Sequence, residues 1–153
     1  MSIGSESNRE GPALEAARDV GGRCLCLHLQ RAARATARRF DEVFRPLGLT
    51  KGQVSVMMTL VRGEGRSVGR ISASLAMDRT TVTAVLKPLI RRHLVTIEVD
   101  AADRRSRLVF LTPAGRKLLA AALPLWTKTH AEIERLMPSA DADRLRGDLR
   151  ALS

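Results

Sequence analysis

The sequence predicts a mainly α fold of six helices that carries one small β-hairpin. Apolar residues recur every three and four positions over most of 23–152, the pattern of helices that bury one face. Two short runs, 94–99 and 107–111, instead alternate β-branched or bulky apolar residues with polar ones. Hydroxyl and carboxylate side chains stand where helices would have to begin, at Thr50, Ser67, Asp78 and Thr112.

Residues 1–20 hold Gly, Ser, Glu and Asn with little periodicity and read as a mobile leader, helical at most from Pro12 onward. From Arg23 to about position 46, Leu25, Leu29, Ala32, Thr36, Phe40 and Val43 mark one face of a long first helix, which Pro46 and Gly48 end. Thr50 and Gln53 supply the reciprocal hydroxyl and amide of a capping box. The second helix then runs to about Val61, burying Val54, Met57, Met58 and Val61. After the turn at Arg62–Arg66, Ser67 caps a short third helix over 67–75, and Asp78 caps a fourth that reaches Arg92. Two short helices joined by so tight a turn form a helix-turn-helix. The hairpin with a charged tip at 100–106 is its wing. Thr112-Pro113 opens a long fifth helix that Pro124 should bend and Pro138-Ser139 should end, and 141–152 is a short amphipathic sixth.

Charge indicates the partner class. The 153 residues carry 26 Lys and Arg against 16 Asp and Glu, a net +10, and 22 of the 26 are arginine, whose planar fork suits phosphates and guanine edges. The stretch 66–107 alone holds eight arginines and Lys87 against four carboxylates. A membrane-surface helix would need many aromatic and leucine residues opposite its basic face, and the chain has one Trp and three Phe. No run of about 18 apolar residues and no basic, apolar leader occurs, so neither a membrane span nor a signal peptide is expected and a cytoplasmic protein is. Two cysteines are too few for a disulfide scaffold. Without paired carboxylates, a nucleophile with its base, or a glycine-rich phosphate loop, no enzyme is expected.

A helix 10–12 Å across fits the roughly 12 Å major groove of duplex DNA, its N-terminal side chains reaching base edges. Arg79, Thr80, Thr81, Thr83 and Lys87 of the fourth helix are the candidates for that contact. Three threonines in four positions cost a helix about half a kcal/mol each relative to alanine, which contact with thymine methyls, bases or phosphates would explain. Arg79 can take a guanine with two hydrogen bonds. Ser67 and Arg70, at the start of the third helix, join the set. In the wing, Arg104, Arg105 and Arg107 offer guanidinium groups to the narrower minor groove. Asp103 would repel phosphate there unless it pairs with a neighbouring arginine, so it reads as an orienter.

The helix order, the segment from Val68 to Thr83, Leu94-Val95, and the run from Asp103 through Thr112-Pro113-Ala114-Gly115 together resemble the MarR family of winged-helix transcriptional regulators, over roughly 23–152. The resemblance implies a homodimer joined through its N- and C-terminal helices, here 23–46 and 113–152. A DNA-binding core at 50–112 would bind a pseudo-palindromic operator. It implies repression, released by a small apolar or phenolic effector or by cysteine oxidation. It makes 78–92 the recognition helix and Arg105 the arginine that enters the minor groove. This chain departs from the family at two points. His93 stands where many relatives have glycine, and so must adopt a left-handed backbone or end the helix otherwise. Pro88 lies inside the recognition helix.

The apolar faces of the first and last helices exceed what one small domain covers, which also predicts a dimer, with recognition helices about 34 Å apart. Cys24 and Cys26 are candidate redox sensors or simply packed residues; two apart on a helix, they would point away from each other and could not bridge within one chain. Cys24 and His28 share a face, but four ligands for a closed metal site are lacking, and neither metal nor cofactor is expected. The alternative function is a structural protein that binds nucleic acid without sequence preference.

Overall fold

The computed structural model describes residues 12–137 and 141–152. Most of the leader and the helix stop expected at Pro138-Ser139 lie outside them. The chain divides into two compact units, one ending at Thr36 and the other beginning at Ala37. In the first, α1 spans Pro12–Arg23, so the leader is helical from Pro12 and the described helices number seven. Cys24 interrupts the helical path before α2, Leu25–Phe44: its carbonyl accepts the His28 N–H at 3.2 Å and its sulfur the Leu27 N–H at 3.4 Å, an N-cap made by a thiol.

In the second unit, Phe44 leads into a 3₁₀ turn, Arg45–Leu47, that Gly48 closes at φ 63°. The guanidinium of Arg92 donates to the carbonyls of Gly48 and, at 3.1 Å, Leu47, so this arginine serves the fold. Helix α3, Lys51–Thr59, starts on the complete capping box of Thr50 and Gln53. Asp41 of α2 adds a second acceptor, taking the Lys51 N–H at 2.6 Å. Val54, Val56, Met57 and Leu60 are buried, whereas Met58 and Val61 are exposed. Two expected inward residues are thus exposed: Val61 lies beyond the end of α3 at Thr59, where the three-and-four spacing no longer predicts direction, and Met58, inside α3, follows the buried Met57 around the helix toward solvent.

Helix α4, Val68–Leu75, and α5, Arg79–Arg91, are joined through Ala76 at φ 49°. The Met77 N–H returns to the Ser72 carbonyl at 3.0 Å, closing a Schellman turn on an alanine. The same motif ends α5, with His93 at φ 54°, His93 N–H to Ile90 O at 2.9 Å and Leu94 N–H to Leu89 O at 2.9 Å. Thus His93 does take the left-handed conformation. Helix α5 continues through Pro88, at the cost of the hydrogen bond that the Ala84 carbonyl would otherwise accept.

Strands β1, Val95–Val99, and β2, Arg107–Leu111, pair antiparallel, Val95 opposite Leu111 and Val99 opposite Arg107. Arg66 adds a further bridge on the other edge of β2, exchanging both backbone hydrogen bonds with Val109 at 3.0 and 2.9 Å. This third rung was not apparent in the sequence, because a single residue carries no periodicity. Helix α6, Pro113–Arg135, begins where the Thr112 hydroxyl accepts the Gly115 N–H at 3.0 Å and donates to the His93 carbonyl at 2.7 Å. A Cβ on Gly115 would overlap the Leu94 carbonyl oxygen, so glycine is required by the approach of α6 to the start of the hairpin. Helix α7, Ala142–Arg150, is tied to α6 by Arg146, which pairs with Glu134 at 2.7 Å. The core gathers Phe40, Phe44, Met57, Ile71, Val82, Leu86, Leu89, Val109 and Leu119, with Phe40 stacked between Phe44 and Trp126. No described helix is long and apolar enough to cross a membrane.

Candidate nucleic-acid interface

Helix α5 buries Val82, Leu86 and Leu89 and exposes Thr80, Ala84, Lys87 and Arg91. At 100° per residue those four positions form one stripe opposite the buried side. Thr80 and Lys87 are among the candidates that the sequence offers, and Ala84 and Arg91 join them on the same exposed stripe. Their signal was present in the periodicity: once Val82, Leu86 and Leu89 are assigned inward, the opposite face follows. Ala84, at the middle of the stripe, leaves room for close approach of another surface.

The other threonines are committed differently. The Asp78 carboxylate caps α5 by accepting the Thr81 N–H at 2.7 Å and the Thr81 hydroxyl at 2.5 Å. These two bonds from Thr81 hold the Asp78 carboxyl below the usual carboxylate range. The Thr83 hydroxyl donates to the Arg79 carbonyl at 2.8 Å. Both O–H donors are therefore used inside the helix, leaving methyl groups and oxygen lone pairs for a partner. The poor helix propensity of these threonines is thus partly answered by local bonding.

Arg79 lies one position before Thr80 and its guanidinium rests against Gly69 of α4. Ser67 caps α4 by accepting the Arg70 N–H at 3.3 Å. Ser67 and Arg70 meet the wing at a polar cleft of about 290 Å³, whose lining also includes Glu64, Asp100 and Ser106.

In the wing tip the Asp103 carboxylate accepts the Arg105 backbone N–H at 3.0 Å, and the Asp103 carbonyl accepts the Ser106 N–H at 2.8 Å. No guanidinium of the described residues pairs with that carboxylate, so Asp103 acts on the backbone of the turn rather than on an arginine side chain. Its short chain fits an Asx turn better than it reaches a neighbouring guanidinium. One nitrogen of Arg107, Nη1, donates to the carbonyls of Arg104 and Ser106 at 3.1 and 3.4 Å, tying this side chain to the turn. Arg104 and Arg105 are exposed and carry no ion pair among the described residues.

Cys24 is partly buried and Cys26 exposed, and both are free thiols. Because Cys24 is a cap and not a helical residue, the helical argument against a bridge within one chain does not hold. Among the described residues no group of three or more His, Cys, Asp or Glu could hold a metal ion.

Residues 47–106 match the model of the MarR family. The chain is 41% identical to the transcriptional regulator HosA of Escherichia coli O157:H7 over 78 residues, half of this chain, and it spans only 57% of the length of that curated relative. Among solved structures, the Mycobacterium tuberculosis transcriptional regulator MosR in complex with DNA is 32% identical with a TM-score of 0.74, covering 84% of this chain and 92% of that one. The transcriptional repressor CouR bound to a 23-mer DNA duplex is 30% identical with a TM-score of 0.70, covering 87% and 92%. With the helix-turn-helix, the hairpin wing and these matches in place, the chain belongs to the MarR family of winged-helix transcriptional regulators.

Proposed function

We propose that this protein is a sequence-specific, duplex-DNA-binding transcriptional regulator that acts as a homodimer on a pseudo-palindromic operator. The observation that carries the reading is the exposed stripe Thr80–Ala84–Lys87–Arg91 on α5, free of carboxylates, in a chain whose wing holds Arg104 and Arg105 without ion pairs among the described residues. The stripe enters the major groove, with Lys87 and Arg91 as cations and Ala84 and the threonine methyls against thymine methyls; the wing arginines enter the minor groove. MosR and CouR were each solved with DNA, in support. It is a binding protein and not an enzyme, and it represses until released by an apolar or phenolic effector or by thiol oxidation. The free thiols of Cys24 and the exposed Cys26 at the start of α2 support the second route, since oxidation needs an accessible sulfur.

The test is selection of duplexes from a random pool by the full chain, followed by titration of the winning duplex against a scrambled one. A sequence-specific regulator prefers the selected duplex by about 10³-fold or more. Ala84→Arg redirects that preference. Equal affinity for both duplexes with a steep salt dependence would establish a coating protein instead.

A further inference from the structure

We propose that Arg79 clamps the DNA backbone rather than reading a base, and that Gly69 is the residue that positions it. The inference rests on the reading of α5 as the helix that enters the major groove. A helix about 10–12 Å wide in a groove of about 12 Å presents its outermost stripe to base edges and its flanks to the phosphate-bearing walls. Arg79 sits about 100° around the helix from Thr80, off the stripe and on one flank. Its guanidinium is turned further from the stripe, onto the first turn of α4: a Cβ built on Gly69 would stand 3.1 Å from its Nη2, 3.6 Å from its Cζ and 3.7 Å from its Nε.

The bare backbone of Gly69 is thus the seat of this side chain. No carboxylate of the described residues pairs with it, so its N–H donors stay available to an anion. A phosphate accepts from any of them, whereas bidentate guanine recognition needs the fork in the plane of the base, on the stripe that Arg79 does not occupy.

The experiment measures affinity of the full chain for its selected duplex and for a scrambled duplex of equal length across a salt series. Arg79→Ala should weaken both duplexes alike, by about fivefold per lost contact near 0.15 M salt, and make the slope of log K against log salt shallower by about 0.9 per contact. Arg79→Lys should keep most of the slope, because a phosphate needs charge more than a fork. Gly69→Leu should reproduce Arg79→Ala and add nothing in an Arg79→Ala background. Gly69→Ala should do less, since the mobile end of the arginine has only a few tenths of an ångström to yield, and its better helix propensity keeps the fold at least as stable.

A change of preference at one base pair in Arg79→Ala or Arg79→Lys would overturn the clamp, as would a Gly69→Leu loss that persists in the Arg79→Ala background. Equal wild-type affinity for both duplexes would count against the sequence-specific reading alone, because the salt slope on either duplex still tests the clamp.

Discussion

Asp78 shows how one side chain can serve fold and site together. Its carboxylate organises the first turn of α5 through Thr81, and in doing so consumes the threonine hydroxyl that a reader of the sequence would assign to DNA. Its pKa is lowered in the folded state by the Thr81 side-chain and then backbone hydrogen bonds, which fixes the sign of the pH effect. A carboxyl with a depressed folded pKa contributes stability that is present above its unfolded value, about 3.9, and lost as pH falls through the folded value. The urea midpoint of the wild type should therefore drop below about pH 4 more steeply than that of Asp78→Asn, which keeps an acceptor but cannot titrate. Parallel midpoint curves for the two proteins would show that Asp78 contributes nothing to the acid limb.

Helices α3 to α6 were readable because each announces itself twice, by an apolar stripe and by a cap, whereas α1 lacks the stripe and α2 starts on the thiol of Cys24. The starts at Thr50, Ser67, Asp78 and Thr112 all carry the side-chain acceptor that the sequence suggests, and Asp141 caps α7 in the same way. Ends were less legible: α3 stops before Val61 because the turn that follows it buries Leu60 instead, a choice made by tertiary packing. The long-range duties of Arg92 on the Gly48 carbonyl and Arg66 on Ser74 left no local mark, so arginine count alone overstated the cations available to a partner.

The junction of α5, β1 and α6 concentrates such hidden constraints. His93 holds a left-handed backbone that glycine adopts without strain, and its carbonyl receives the Thr112 hydroxyl. His93→Gly should stabilise the fold by about 0.5–1 kcal/mol, the steric relief exceeding the entropy that glycine adds to the unfolded chain. Thr112→Ala should cost about 1–2 kcal/mol, because it removes the α6 cap and the partner of that carbonyl together. Chemical denaturation of both variants checks the pair, and a destabilised His93→Gly would mean that the imidazole contributes more than its backbone costs.

Along the chain, the described helices outside the winged core leave leucines in water: Leu25 and Leu27 on α2, Leu136 just after α6, Leu145 and Leu149 on α7, and Leu152 just beyond it. Leu136 and Leu152 are each about 60% exposed, more than a small domain gains by showing without a partner surface. The core around Phe44 and Met57 closes within one chain, and although Met58, Val61, Ile97 and Val99 are also exposed in the winged part, the most exposed of the leucines named above, Leu25, Leu136 and Leu152, lie at the ends of the terminal helices. A homodimer formed through these helices would bury that surface and make the second operator half-site an intramolecular event for a chain already bound at the first. Leu145→Lys combined with Leu152→Lys should then sediment as a monomer at micromolar concentration. It should bind a full operator about 10²-fold or more weakly than the wild type, with its affinity for an isolated half-site changed little. Normal sedimentation of that double variant as a dimer would move the interface elsewhere. Equal losses on full and half operators would show that the two sites are not coupled through these helices.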